Sequence, residues 1–206
     1  MCSIIRKDMK PVKLIIFDVR DISIERLSKL NFLAEKDLDE VKKYKPLETK
    51  KEKLASLYLK NKYIGHYSYN EYGKPLSDKK HFNITHSHGV VVLALCEYDV
   101  GVDIERIEER KDNLAKYIST QEELSYIKGF KEFFEVWTNK ESLMKCIGVG
   151  IRCKVKEIPA LPINGLKEYR GEKYYSKSLE RDNFILSITV KNETDFEIEI
   201  SEETVE

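Results

Sequence analysis

The sequence predicts an α+β protein made of two similar α/β lobes, and three observations lead there. Each half carries helix-patterned stretches and apolar strand-like runs of similar kinds. The length of 206 residues suits one compact domain or two small ones sharing a core. No Gly/Ser-rich or Pro-rich linker parts the halves, so two tightly packed lobes are expected, 1–98 and 99–206, with the seam near residues 98–100.

Residues 13–19 (KLIIFDV) read as a strand rich in β-branched side chains. From 23 to 44, Leu27, Leu30, Phe32, Leu33, Leu38 and Val41 recur at helical spacing, with Ser23 placed to cap. Pro46 punctuates the chain, and 49–64 predicts a second helix with Leu54, Leu57 and Leu59 apolar. Residues 69–76 (YNEYGKPL) are a turn region, because Gly73 permits positive φ and Pro75 removes a donor. Two strand-like runs follow at 81–85 and 90–96, the second continuously apolar and so buried. Residues 100–105 alternate with period two. Ser119 or Thr120 caps a short helix, and a longer helix covers 131–147. Residues 183–190 and 196–200 are the clearest later strands, and the acidic tail 201–206 is expected to fray.

Composition narrows the function classes. Hydrophobic residues make up 41% and aromatics 10%, enough for a packed core. Lys plus Arg and Asp plus Glu number 36 each, so the basic excess of a nucleic-acid binder is missing. Cys2, Cys96, Cys146 and Cys153 form no C-x-x-C pair, which argues for buried reduced thiols rather than zinc or disulfides. The start lacks a secretory apolar region, and no run approaches a membrane span. A soluble, cytoplasmic protein is expected.

Three constellations carry chemistry. Asp103 and Glu105 are two apart on a strand, so both side chains point to one face. Taken alone the pair also describes an acidic sheet edge. Trp137, Glu141 and Lys145 are four apart and share a helical face. That face is either solvated or, with the sole Trp on it, partly buried, and a buried Glu141 needs Lys145 or a metal as partner. Residues 82–89 (FNITHSHG) read as a polar loop between apolar runs, offering N–H groups and hydroxyls suited to phosphate, or else as an ordinary connection. Gly73, Lys74 and Pro75 just before it tip that balance toward a ligand site.

Four blocks, 71–75 (EYGKP), 82–87 (FNITHS), 101–105 (GVDIE) and 137–148 (WTNKESLMKCIG), together resemble the 4′-phosphopantetheinyl transferase superfamily, in its monomeric type that activates nonribosomal peptide and polyketide synthases. The resemblance implies two similar lobes with coenzyme A bound between them. It implies transfer of the phosphopantetheine arm of coenzyme A to a serine of an apo acyl or peptidyl carrier protein, with release of 3′,5′-ADP. It assigns Asp103, Glu105 and Glu141 to Mg²⁺, Lys145 to the reacting phosphate, and Glu141 or a metal-bound water to the side of the attacking hydroxyl. Thr85 and His86 fall at the coenzyme A phosphates, with Thr85 where the family more often has serine. Gly73, Lys74 and Pro75 fall at the adenine end. The resemblance would place the 3′-phosphate at a basic residue among Lys45, Lys50, Lys51 and Lys53, with Lys51 the expected contact. A non-catalytic module binding coenzyme A or a carrier protein is the alternative.

Overall fold

The computed structural model describes residues 11–109, 113–148, 154–192 and 194–205. Two four-stranded sheets pack face to face, each covered on its outer side by helices.

Strand β1 (Val12–Asp18) opens the first sheet, and its alternation decides the layers. Val12, Leu14 and Ile16 point into the space between the sheets, while Ile15 and Phe17 point outward to the helices. The outer layer consists of α1 (Ile24–Leu27), α2 (Glu35–Lys42) and α3 (Leu47–Tyr63). The single helix expected over 23–44 is broken: Phe32 takes a positive φ of 74°, and its carbonyl accepts from Asn61 Nδ2. The break lets Leu27, Leu30, Leu33, Leu38 and Val41 all reach the face of α3.

A small hairpin of β2 (Ser68–Tyr69) and β3 (Pro75–Leu76) closes over Gly73. Strands β4 (His81–Ser87) and β5 (Val90–Cys96) follow. The polar stretch expected to be a loop over 82–89 is therefore mostly strand, with the turn confined to His88 and Gly89, both at positive φ. Its polar side chains face a second sheet rather than solvent.

That second sheet begins with β6 (Val100–Arg106). Helices α4 (Leu114–Ile118), α5 (Gln121–Tyr126, capped by Thr120) and α6 (Phe130–Ile147) come next. The sheet is completed by β7 (Gly165–Tyr169), β8 (Glu172–Arg181) and β9 (Phe184–Val190), in the order β6-β9-β8-β7 and antiparallel throughout. Beyond Gly150 the sequence turns toward strands, but the bounds of β7 and β8 were not legible in it. Strand β10 (Ile198–Glu202) leaves this half and pairs in parallel with β1, giving the first sheet the order β10-β1-β5-β4. A division at 98/99 therefore leaves one strand of the first sheet in the second half. The tail does not fray over its described part. Glu203 accepts from Lys62 Nζ (2.7 Å), Tyr63 Oη (2.6 Å) and Tyr58 Oη (3.0 Å). Cys96 and Cys146 are buried free thiols, as expected, and Cys2 and Cys153 lie outside the described residues. No helix among the described residues is long and apolar enough to cross a membrane.

The face of the second sheet under α6 is unusually polar. Hydroxyls of Ser187 and Thr189 meet Thr138 and Ser142 of the helix at 2.7 and 2.8 Å. Small side chains bring helix and sheet close, and the buried polar groups satisfy one another. Two buried lysines share this layer. Lys140 is fully buried and pairs with Glu123 at 2.9 Å. Lys167 donates to Asn139 Oδ1 at 2.5 Å. Burial pushes the Lys167 ammonium down to about 7; Glu123 opposes that shift and Lys140 adds to it.

This has a consequence for stability. Unfolded lysine titrates near about 10.4, so between roughly pH 7 and 10 the unfolded chain binds a proton that the folded protein does not. Stability attributable to this group rises as pH rises through that window. Urea titrations of Lys167→Met should lose an increment on the order of 3 kcal/mol that the parent gains between pH 7 and 10. An identical pH slope in both proteins would show Lys167 charged in the fold.

Candidate functional site

Strands β4 and β6 run side by side where the two sheets meet, and Asn83 Oδ1 accepts from Val102 N at 3.1 Å across the join. Alternation sends Asn83, Thr85 and Ser87 toward β6, and Asp103 and Glu105 toward β4 and α6. Helix α6 lies over this join because Gly101 has no side chain. A Cβ there would sit 2.0 Å from Ser142 O and 2.3 Å from Cys146 N.

These contacts bring the predicted acids and the lysine into one cluster. Lys145 Nζ donates to Asp103 Oδ1 at 2.6 Å and to Thr85 Oγ1 at 3.1 Å, and Thr85 Oγ1 donates to Asp103 Oδ1 at 3.1 Å. Glu105 accepts from Ser87 Oγ at 3.0 Å and from Trp137 Nε1 at 3.4 Å. The helical pair anticipated between Glu141 and Lys145 gives way to the bond from Lys145 to Asp103. Burial pushes the Glu141 carboxyl up to about 7, with the charges of Asp103 and Glu105 adding and Lys145 opposing. Burial likewise raises Asp103 against the pull of Lys145, and raises Glu105 with help from Asp103. Three carboxylates thus face a single ammonium.

Do these groups fit a hard cation? Asp103 Oδ2 is buried with no hydrogen-bond partner, an orphaned acceptor of the kind such an ion satisfies. The donors are all carboxylate oxygen, and their mutual repulsion is what a divalent ion relieves. By donor chemistry the set fits. As the side chains stand, no three His, Cys, Asp or Glu among the described residues are gathered closely enough to hold a metal, since Lys145, Ser87 and Trp137 hold the acids.

The cluster borders a cleft of about 440 Å³. Glu141, Met144, Lys145 and Gly148 line one wall, and Gly73, Lys74 and Pro75 line another. His86 and Ile84 project into it from β4, on the face opposite Thr85. Thr85 is itself buried under the cleft and meets Asp103 and Lys145 instead. Lys74 ties the hairpin to the second half: its ammonium bonds Asp99 at 3.0 Å and Cys146 O at 2.6 Å.

Lys51 does not reach the cleft, and its ammonium donates to Arg20 O at 2.8 Å. The basic side chains that α3 presents to the cleft are Lys53 and Lys60. Lys60, buried, donates to Tyr69 Oη at 3.0 Å and lies 4.7 Å from the Tyr67 ring centre. Sequence reasoning missed Lys60 because it searched only the first turns of that helix. Spacing held the signal, since 53 and 60 are seven residues apart and share a face.

Residues 99–189 match the family described as "4'-phosphopantetheinyl transferase superfamily". Among similar proteins, "4'-phosphopantetheinyl transferase gsp" of Aneurinibacillus migulanus is 43% identical over 89 residues, covering 40% of this chain and 38% of that protein. "4'-phosphopantetheinyl transferase Sfp" of Bacillus subtilis (strain 168) is 34% identical over 95 residues, covering 41% of this chain and 42% of that protein. A further Bacillus subtilis relative, "4'-phosphopantetheinyl transferase ffp", is 33% identical over 107 residues and covers 48% of each chain. The chain spans about two fifths to one half of the length of the curated relatives it matches. The matched span contains two of the four motif blocks, 101–105 and 137–148, and with them Asp103, Glu105, Glu141 and Lys145; the blocks at 71–75 and 82–87 lie outside it.

Proposed function

We propose that this protein transfers the 4′-phosphopantetheine arm of coenzyme A to a serine of an apo acyl or peptidyl carrier protein, releasing 3′,5′-ADP. It acts as a cytoplasmic monomer and depends on Mg²⁺. One observation carries the proposal: the acids of β6 and the Glu141–Lys145 stretch of α6 meet at the edge of a cleft that the Gly73-Lys74-Pro75 turn also lines. The match of 99–189 to the transferase superfamily supports the same chemistry.

In this proposal Asp103, Glu105 and Glu141 hold the Mg²⁺, which when bound neutralises the pyrophosphate and makes its bridging oxygen a better leaving group. Lys145 exchanges its bond to Asp103 for the phosphoryl oxygens, where its charge counts most as charge builds. Thr85 stays beneath as the hydroxyl that steers Lys145 and Asp103 relative to each other. His86 meets the coenzyme A phosphates, and the hairpin turn borders the adenine. Lys53 and Lys60, rather than Lys51, take the 3′-phosphate. Glu141 lies on the side from which the serine hydroxyl arrives, positioned to receive its proton.

The test is to incubate the protein with coenzyme A, Mg²⁺ and several apo carrier proteins and to weigh the products. A phosphopantetheine mass gain that disappears with a chelator and returns with Mg²⁺ is expected. Coenzyme A binding without any mass gain across carriers of all three synthase classes would identify a binding module instead.

A further inference from the structure

Glu52 has no place in the chemistry above, yet it is a buried carboxylate on α3, set against His86, which lines the cleft. Both of its oxygens are engaged. Oε1 accepts from Gly89 N at 2.9 Å, and Oε2 meets His86 Nδ1 at 3.0 Å. Burial raises its pKa, but the bonds from His86 and Gly89 outweigh burial and hold the carboxyl below the usual range. A buried, doubly bonded carboxylate of this kind has a fixed geometry. His86 is different: its side chain is 34% exposed and lines the cleft. With Nδ1 committed to Glu52, Nε2 is the ring nitrogen left for a ligand, and it has no hydrogen bond among the described residues. The same carboxylate anchors the His88–Gly89 turn, so ring and turn are held by one group.

We propose that Glu52 is a positioning residue: it accepts a hydrogen bond from His86 Nδ1–H, fixes the ring's rotation, and so aims Nε2 into the cleft, where the imidazolium, protonated on both nitrogens between the carboxylate and an anionic ligand, donates Nε2–H to a phosphate oxygen of coenzyme A. The bond is the same orienting device by which carboxylates set the working nitrogen of a histidine elsewhere. A donor held in advance loses little rotamer freedom on binding, so the benefit belongs to substrate affinity and not to the chemical step. The proposal rests on the cleft being the coenzyme A site.

A double-mutant cycle with Glu52→Gln, Glu52→Ala and His86→Ala tests it, using coenzyme A titrated in a calorimeter and steady-state transfer kinetics. Glu52→Ala and His86→Ala should each weaken coenzyme A binding about tenfold, with kcat within about twofold. Glu52→Gln, which can still accept from Nδ1, should recover part of that loss. Added to His86→Ala, either Glu52 change should have no further effect on coenzyme A affinity. A full, additive loss in the His86→Ala background, or a fall in kcat alone, would overturn the positioning role. Should Glu52→Ala prove unfolded by circular dichroism, the Glu52→Gln arm decides alone by the same criterion. Histidine ¹⁵N spectra keep the outcomes apart: Nδ1 protonated in the parent and changed in Glu52→Ala is expected, and an unaltered His86 signal overturns the proposal even if coenzyme A binds. Failure of the parent to bind coenzyme A, with the His86 signal still dependent on Glu52, would instead remove the substrate reading.

Discussion

Asp103→Ala should lower the proposed phosphopantetheine transfer about a hundred- to a thousandfold while the protein stays folded, because one preorganised electrostatic group is typically worth that much to a reaction of this kind. Asp103 is 4% exposed, and burial raises its pKa despite Lys145 and Thr85. A carboxylate kept in such a place is held against its desolvation cost, and one of its oxygens still lacks a partner. Removing it frees Lys145, whose side chain is 29% exposed and can turn to water, so no uncompensated buried charge is left behind. The urea midpoint should therefore fall little or rise. Asp103→Asn keeps the shape and should lose activity almost as fully, which separates charge from packing. Mass measurement of the carrier product and urea denaturation check both halves. An active Asp103→Ala would exclude the carboxylate cluster as the working site, and a collapsed fold would make the residue structural.

Gly101→Ala is expected to cost about 3 kcal/mol or more and to remove activity with it. The added carbon would stand 2.0 Å from Ser142 O, a backbone atom of α6 that cannot swing aside like a flexible side chain. The helix would have to lift from β6 as a unit. That would undo the hydroxyl contacts of Ser142 with Thr189 and of Thr138 with Ser187, and carry Glu141 and Lys145 away from Asp103. Chemical denaturation should show the loss. A variant of parental stability would mean that the sheet and helix have slack at their closest approach.

Much of this arrangement was legible in the chain, and the exceptions have physical reasons. Period-two spacing put Asp103 and Glu105 on one face, and fourfold spacing put Trp137, Glu141 and Lys145 on another. What linked them, the packing of α6 on β6 over Gly101, is a tertiary fact with no local signature. The stretch 82–89 read as a polar loop, overlapping the strand-like run at 81–85, because its Asn, Thr and Ser are polar, yet they are buried against a polar partner surface. The bounds of β8 were missed for the same reason, since Ser176 is fully buried among hydroxyls. The burial of Lys140 did have a sign in the sequence, since it follows Phe133 and Val136 on an apolar stripe leading to Met144. The interruption at Phe32 had neither Gly nor Pro to announce it; packing against α3 imposes it.

The return of β10 to β1 makes the two halves inseparable by a single cut. Severing the backbone between β5 and β6 would yield one fragment whose sheet lacks its outer strand and another carrying that strand with nothing to pair it. The fragments could recombine only by exchanging a clasp, as a belt closes through its own buckle. The cleft lies beside β4, at the edge of that sheet opposite β10, so loosening the last strand should weaken the hold of one half upon the other at a distance from every group that lines the cleft.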